Sequence, residues 1–110
     1  MAQRAQTIRA VDAAMAELES KAAEAAALLK LLANENRLLI LCRLALKGEM
    51  AVGDLATAVG LSQSALSQHL ARMREEGLVT TRREAQTIFY RIANESAQRL
   101  LILLKDIYCR

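Results

Sequence analysis

Two cysteines, Cys42 and Cys109, carry the side chains of this chain best suited to nucleophilic or redox chemistry. A cysteine reacts as its thiolate, which requires access and positively charged surroundings. Cys109 lies off the main apolar face of the last predicted helix, beside Arg110 and one turn from Lys105, so we expect it to be the more exposed nucleophile. Cys42 lies in a leucine-rich stripe and is expected to be the more buried thiol. The alternative is that both are inert packing residues, because buried free cysteines are common.

The single histidine, His69, is the other candidate metal ligand. It lies beside the predicted buried stripe of a helix, where a structural hydrogen bond is the simpler role. One histidine and two separated cysteines do not readily assemble a four-ligand site, so we predict neither a metal nor a cofactor. No nucleophile motif and no general base accompany the cysteines, which argues against an enzyme. A small thiol peroxidase or sulfurtransferase is the enzymatic alternative, which turnover of peroxide or persulfide would reveal.

Residues 52–76 predict two short helices about a tight turn. The first covers about residues 52–59, and Gly60 follows it where a left-handed residue ends a helix at little cost. Ser62 is a good N-cap for the second helix, because its hydroxyl can accept an orphan backbone N–H. Two short helices about such a turn form a helix-turn-helix, whose second helix enters the major groove of DNA.

The second of these helices has one apolar face and one hydrogen-bonding face. Leu66, Leu70 and Met73 recur at i, i+4 and i+7 and predict the buried stripe. The opposite face carries amides, hydroxyls and one long cation, which are the groups that read base edges in the major groove. An ordinary amphipathic surface helix is the alternative. The residues of this helix predicted to contact DNA are Gln63, Ser64, Ser67, Gln68 and Arg72.

A β-hairpin is predicted directly after this helix. Residues 78–83 and 87–92 are rich in β-branched and aromatic side chains, and residues 84–86 separate them. A hairpin in this position forms a wing that can touch phosphates or the minor groove. The alternative is that its arginines only solvate an exposed hairpin. The wing residues predicted to contact DNA are Arg82, Arg83, Gln86 and Thr87.

The remaining elements are predicted to be helical. We expect residues 1–11 to form a flexible N-terminal arm and residues 12–110 to form a single DNA-binding and dimerisation domain. Strong helix formers without a breaker predict one long helix over residues 12–32. The last helix, over about residues 94–108, has apolar groups on two sides, as expected for a helix packed between its own domain and a partner subunit. A helix over about residues 34–47 has one apolar face formed by Leu38, Leu39, Cys42, Ala45 and Leu46.

The composition is that of a small, helical, globular protein. The 110 residues suit one domain, and 54% hydrophobic with 25% charged residues excludes a disordered chain. The net charge of +3 is compatible with nucleic acid as a partner. No apolar run approaches the ~18 residues that a membrane helix needs, and no secretory segment is evident. We therefore expect a cytoplasmic protein without membrane contact, in which a permanent disulfide is not expected.

The predicted order of four helices, a hairpin and a last helix resembles the ArsR/SmtB family of winged-helix repressors. The resemblance covers roughly residues 20–109, and it implies a mainly α winged helix-turn-helix fold with a β-hairpin wing. Two of its motifs look most like the branch that includes sulfide-responsive repressors, a haemolysin regulator and a nodulation regulator. These two are residues 61–70 (LSQSALSQHL) and 83–90 (REAQTIFY), and the other motifs are residues 32–41 (LANENRLLIL) and 52–55 (VGDL).

The resemblance implies a homodimer built on the first and last helices, which binds an imperfect inverted repeat in double-stranded DNA and loses affinity when an inducer arrives. The metal-sensing members carry ligands that are missing here, since residues 50–55 hold no cysteine and the last helix holds no histidine. In the sulfide-responsive branch, cysteines matching Cys42 and Cys109 face each other and become linked by a disulfide or polysulfide bridge. The resemblance therefore implies a transcriptional repressor that senses reactive sulfur species, such as persulfide, through these two thiols.

Three other functions are consistent with the same residues. The first is a general peroxide- or redox-responsive regulator. The second is a regulator of the nodulation-repressor type, which binds DNA without thiol sensing and would ignore every thiol reagent. The third is a protein-interaction module that uses the winged fold without DNA, which failure to bind DNA at low salt would indicate.

Overall fold

The computed structural model describes residues 2–109; Met1 and Arg110, which begin the predicted arm and end the predicted domain, lie outside the described residues. Within this range the chain forms six helices and a three-stranded antiparallel sheet. The helices are α1 (Ala2–Ser20), α2 (Ala22–Leu32), α3 (Glu35–Lys47), α4 (Val52–Val59), α5 (Gln63–Glu75) and α6 (Glu95–Tyr108). The strands are β1 (Met50–Ala51), β2 (Val79–Glu84) and β3 (Thr87–Ile92).

The chain divides into two compact units, Met1–Leu31 and Leu32–Arg110. In the first unit, helical backbone begins at Ala2, where a loose arm over residues 1–11 was predicted. No glycine or proline interrupts this segment, so the polar residues continue the helix. The hydroxyl of Thr7 donates a hydrogen bond to the carbonyl of Gln3, one turn earlier in the helix, at 2.8 Å. The first helix therefore begins about three turns closer to the N-terminus than predicted.

The single long helix predicted over residues 12–32 is interrupted at Lys21. The N–H of Lys21 donates to the carbonyl of Leu18 at 3.0 Å, which is a tightened three-residue turn. The hydroxyl of Ser20 also donates to the carbonyl of Glu17 at 2.6 Å. No glycine or proline marks this interruption, so helix propensity alone did not reveal it.

The helix-turn-helix unit forms where the capping residues predicted it. The side chain of Asn34 accepts the N–H of Arg37 at 3.1 Å and begins α3, and Gly48 ends that helix with a φ of 85°. Gly60 ends α4 in the left-handed conformation, and Ser62 caps α5. These local signals fix the relative positions of the helix ends because each cap satisfies an otherwise unpaired backbone group.

The buried side of α3 differs from the predicted one. Ile40, Leu41 and Leu44 are the buried residues of this helix, whereas Leu39 is 45% and Leu46 is 72% exposed. Residues 38–42 are five consecutive apolar residues, which surround the helix and cannot indicate one face by periodicity. Packing against the neighbouring elements determines which side of α3 is buried. The predicted apolar face, which held Cys42 at its centre, is therefore wrong as the core face.

The core of the second unit is formed by large aliphatic side chains from the helices and the start of β2. Burying each such side chain stabilises the fold by roughly 1.5–3 kcal/mol. The last helix, α6, contributes Ala97 and Leu101 to this core and begins at the N-cap Asn94. The largest fully buried side chains are Ile40, Leu41, Leu44, Leu55, Leu66, Leu70, Met73 and Leu78.

The sheet has the order β1-β3-β2, so the hairpin strand β3 lies in the middle. The hairpin was predicted, with β2 beginning one residue later than expected. Strand β1 was not predicted, because its two residues are too short to show a period. The register joins Ala51 to Phe89 across one ladder and Phe89 to Arg82 across the other. The predicted winged helix-turn-helix is confirmed, with one more helix and one more strand, and no helix among residues 2–109 is long and apolar enough to cross a membrane.

Candidate nucleic-acid interface and thiol pair

Helix α5 presents a well-defined polar face to solvent. Its N-terminus is fixed by Gly60, with φ 74° and ψ 28°, and by the Ser62 hydroxyl, which accepts the N–H of Ala65 at 3.2 Å. Its buried stripe consists of Leu66, Leu70 and Met73, each 0% exposed, as predicted. All five residues of this helix that were predicted to contact DNA are exposed: Gln63, Ser64, Ser67, Gln68 and Arg72. Amides, hydroxyls and a guanidinium on one rigid face can form hydrogen bonds with base edges.

A glycine on α4 makes room for one of these side chains. A Cβ built on Gly53 would lie 3.3 Å from Nε2 of Gln63, which is tighter than ordinary contact. The absence of a side chain at Gly53 therefore lets the Gln63 amide lie against α4 at the start of α5. The VGDL motif containing Gly53 was noted from the sequence, but its contact with Gln63 was not predicted.

The opposite end of α5 is held by an ion pair that sequence reasoning missed. Nη1 of Arg37 donates to Oε2 of Glu76 at 3.1 Å, and Nη2 donates to Oε1 at 2.6 Å. The two side chains are only 16% and 30% exposed. A bidentate arginine–carboxylate pair has a fixed planar geometry, so it ties the start of α3 to the residue that caps α5. The partners are separated by 39 positions, and no local pattern joins them.

The tip of the wing exposes three of its four predicted DNA-binding residues without a side-chain partner among residues 2–109: Arg83, Gln86 and Thr87. The tip turns at Ala85, whose φ of 56° is rare for a residue other than glycine. Arg83 and Arg82 are neighbours in β2, so their side chains point to opposite faces of the sheet. The two arginines therefore meet different surroundings.

Arg82, the fourth wing residue that was predicted to contact DNA, is bound by the carboxylates of Glu49 and Glu84. Its Nε donates to the two carboxylate oxygens of Glu49 at 2.8 and 2.9 Å, and its Nη2 also bonds with Glu49. Its Nη1 donates to Oε2 of Glu84 at 2.9 Å. The guanidinium carbon lies 4.5 Å from the centre of the Phe89 ring, within the range of a cation–π contact. Glu49 and Phe89 were not predicted as part of the site.

Arg82 and the carboxylate of Glu49 shift each other's pKa. The hydrogen bond from Arg82 is the largest cause that lowers the pKa of Glu49, and the positive charges of Arg82 and Arg91 lower it further. Desolvation opposes the shift but does not outweigh it. The hydrogen bonds to Glu49 and Glu84 in turn raise the pKa of Arg82. The carboxylate of Glu49 and the guanidinium of Arg82 are therefore charged at neutral pH, and the one guanidinium is bound by two carboxylate side chains.

The two cysteines lie far apart in the sequence, but they are carried by elements that pack together. Helix α3, which carries Cys42, packs against α6, and Cys109 is the C-cap of α6. The N–H of Cys109 donates to the carbonyl of Lys105 at 2.7 Å. Partial burial raises the pKa of the Cys42 thiol, and the negative charge of Cys109 raises it further. A charge acts in this way only over a short distance.

Both cysteines are free and exposed, and the partial desolvation of the Cys42 sulfur is in line with the expectation that Cys42 is the more buried thiol. Cys42 lies on the side of α3 away from Ile40, Leu41 and Leu44, and the residue reaches solvent while its sulfur is partly desolvated. His69 is half-buried on α5. Residues 2–109 hold no group of three or more His, Cys, Asp or Glu side chains arranged for a metal ion.

Comparison with known proteins gives a consistent group of relatives. Residues 34–81, from the N-cap of α3 into β2, match the bacterial regulatory proteins of the arsR family. The transcriptional activator HlyU of Vibrio cholerae is 51% identical over 94 residues, which are 86% of this chain and 86% of the relative. The nodulation protein NolR of Rhizobium meliloti is 56% identical over 84 residues, 76% of this chain and 68% of the relative. These relatives are regulators, not enzymes.

A solved structure supports the same assignment. The transcriptional repressor BigR from Xylella fastidiosa superimposes with a TM-score of 0.79 at 41% identity, covering 87% of this chain and 97% of that one.

Proposed function

This chain belongs to the ArsR family of bacterial DNA-binding transcriptional regulators, and we propose that it is a homodimeric repressor that senses reactive sulfur species. The proposed sensor is the pair Cys42 and Cys109, whose linkage lowers the affinity for an imperfect inverted repeat in DNA. The observation that carries this proposal is that α3, which holds Cys42, packs against α6, which ends at Cys109, with both cysteines free and exposed. Two exposed thiols carried by packed helices are suited to forming a bond with each other.

The DNA-reading surface of the proposal consists of α5 and the wing tip. Base edges are read by the exposed amides, hydroxyls and guanidinium of Gln63, Ser64, Ser67, Gln68 and Arg72. Arg83 at the wing tip contacts phosphate, and Gln86 and Thr87 lie beside it. Two copies related by a two-fold axis would present two α5 helices about 34–36 Å apart, the distance between successive major grooves on one side of DNA.

Exposed apolar residues support a homodimer. On α6, Leu103, Ile107 and Tyr108 are 53%, 52% and 80% exposed, although the same helix already contributes Leu101 to the core. A helix with apolar side chains on two sides must bury the second side to keep the protein in solution. The partner subunit covers this side in the proposal, and the first helices extend the contact.

The sulfur chemistry of the proposal needs a persulfide as the oxidant. The thiolate of Cys109 attacks the outer sulfur of a persulfide RSSH, which transfers that sulfur and releases the thiol RSH. Cys42 then attacks the inner sulfur of the Cys109 persulfide and expels hydrogen sulfide, leaving a disulfide. Two protein thiols are oxidised and one persulfide is reduced to RSH and H₂S, so atoms and electrons balance. A longer bridge retains sulfur from further persulfide molecules.

The bridge is coupled to DNA through the helices that carry the cysteines. Cys42 lies on α3, and Arg37 at the start of the same helix forms an ion pair with Glu76 at the end of α5. Helix α3 thereby orients α5, and α6 lies on the dimer side. A covalent bond between α3 and α6 changes how these two helices pack against each other. A shift of this kind lowers affinity only if the two arrangements bind DNA differently, and such couplings are typically worth 1–3 kcal/mol.

Mass spectrometry tests the sensor chemistry directly. Reduced protein is treated with a persulfide donor, alkylated and digested without reductant. The proposal expects Leu38–Arg43 and Asp106–Arg110, the tryptic peptides of the two cysteines, to be joined through a disulfide or added sulfur. Peroxide is applied in parallel, and linkage by both reagents would indicate a general redox regulator. Two unlinked thiols after every reagent would contradict the proposal and favour a thiol-independent regulator of the kind that the NolR relationship suggests.

A further inference from the structure

The cluster of Arg82, Glu49, Glu84 and Phe89 at the base of the wing is not explained by direct DNA contact. We propose that Arg82 is a wing-positioning residue, neutralised by Glu49 and Glu84, and that it is not a phosphate contact. Its function is to hold the hairpin at the angle from which Arg83 reaches DNA. This inference rests on DNA binding by the family and is independent of the thiol chemistry proposed above.

The contacts of Arg82 join both edges of the sheet. Glu49 lies between the end of α3 and β1, which is one edge strand, whereas Arg82 is on β2, the other edge strand. Phe89 of the middle strand is paired with Arg82 in the register, and the guanidinium lies over its ring. The arginine therefore crosses the face of β3 to reach the carboxylate of Glu49. This arrangement connects the hairpin to the helix-turn-helix unit by a side chain as well as by strand pairing.

The donor groups of Arg82 are already used by protein acceptors. Nε and Nη2 bond with Glu49, and Nη1 bonds with Glu84. A DNA phosphate that approached Arg82 would have to displace one carboxylate and would meet the negative charge of the other. Hydrogen bonds between charged groups are stronger than neutral ones, so this exchange gains little. Arg83 faces the other side of the sheet and has no such competitor among residues 2–109.

The two possible roles of Arg82, phosphate contact and wing positioning, predict opposite changes in DNA affinity for the substitution Glu49→Gln. If Arg82 contacts phosphate, Glu49→Gln removes a competitor and a negative charge, so affinity for DNA rises. If Arg82 positions the wing, Glu49→Gln weakens the link to the hairpin, so affinity falls. The proposal expects a fall of about two- to fivefold, the effect of losing one ion pair. The binding partner is a labelled duplex selected by the unmodified reduced protein from a random-sequence library.

A double-mutant cycle separates the two roles further. Arg82→Gln alone should lower the affinity by a similar factor, and Arg82→Gln in the Glu49→Gln background should cause little additional loss, because the same link is already broken. Arg82→Lys retains the charge but not the forked geometry, so it should behave like Arg82→Gln. An affinity of Arg82→Lys equal to that of the unmodified protein would contradict the proposal.

The salt dependence supplies a readout that a general loss of stability does not change. Each phosphate contact contributes about 0.9 to the slope of log affinity against log salt. Arg83→Ala, the matched control on the next residue, should reduce the slope by about one contact, whereas Arg82→Gln and Glu49→Gln should leave it unchanged. Thermal unfolding confirms that each variant is folded. An Arg82→Gln slope reduced as much as that of Arg83→Ala, or a higher affinity of Glu49→Gln, would overturn the assignment.

Discussion

At the scale of single residues, the two thiols differ in their surroundings although both are exposed. Cys42 is partly desolvated and lies in the field of Cys109, and both effects disfavour its thiolate. Cys109 caps the last turn of α6 and has Lys105 one turn away. We therefore propose that Cys109 makes the first attack on a persulfide and that Cys42 completes the bridge.

Alkylation rates test this difference at the residue scale. We expect iodoacetamide to label Cys42 in the folded, reduced protein more slowly than in the denatured protein, because its raised pKa leaves less thiolate at a given pH. Cys109→Ser should accelerate the labelling of Cys42 near pH 9, since it removes the neighbouring negative charge. The rates are read from the tryptic peptide Leu38–Arg43. Equal rates in folded and denatured protein would show that the surroundings of Cys42 do not affect it.

At the scale of elements, the bidentate pair between Arg37 and Glu76 sets the position of α5. Glu76→Gln should lower the free energy of unfolding by about 1–2 kcal/mol, because a mostly buried guanidinium loses its charged acceptor. The adjacent Glu75→Gln is the matched control: Glu75 is exposed, and its substitution should change stability by less than about 0.5 kcal/mol. Urea unfolding of the reduced variants measures both. Equal effects of the two substitutions would show that the pair contributes nothing beyond surface charge.

The link between the wing and β1 has a pH dependence that follows from Glu49. Its pKa is lower in the folded protein than the ordinary value of 4.5, so folding stabilises the charged form. This contribution is fully present above the ordinary value and is lost as the pH falls through the lowered folded pKa. Thermal unfolding between neutral pH and pH 3 should therefore show a steeper acid destabilisation for the unmodified protein than for Glu49→Gln. Parallel curves would mean that Glu49 has the same pKa in the folded and unfolded chain.

Local signals in the sequence predicted most of the DNA-reading unit. Capping by Asn34 and Ser62, the left-handed Gly60 and the spacing of Leu66, Leu70 and Met73 each act within one helix or turn, and all were confirmed. Strand β3 had the predicted bounds for the same reason. Interactions between residues far apart in the chain have no such signature.

The errors have identifiable physical causes. The all-round apolar sequence of α3 gave no unique face, so tertiary packing decided which side is buried, and Cys42 was assigned to the wrong side. The interruption at Lys21 is marked by no glycine or proline, so helix propensity did not indicate it. The partners of Arg82 and Arg37 come from other elements, and the two-residue strand β1 exists only because β3 lies beside it. Each of these features needs the fold before it can be recognised.

At the scale of the whole molecule, the proposed repressor is a two-state device. We propose that a dimer holds its α5 helices at the spacing of successive major grooves in the reduced state, and that the sulfur bridge favours a second arrangement in which this spacing is lost. Neither cysteine contacts DNA in this account. Cys42→Ser and Cys109→Ser should therefore bind DNA as reduced wild-type protein does, but should not respond to the inducer.

The most direct test of this account is the affinity of the protein for a selected DNA duplex before and after treatment with a persulfide donor. We expect persulfide to weaken binding by the unmodified protein about 5–150-fold, with recovery after reduction. Cys42→Ser and Cys109→Ser should keep the affinity of the reduced state throughout. The account is contradicted if Cys42→Ser still responds, or if wild-type protein binds DNA equally well with its two cysteines linked.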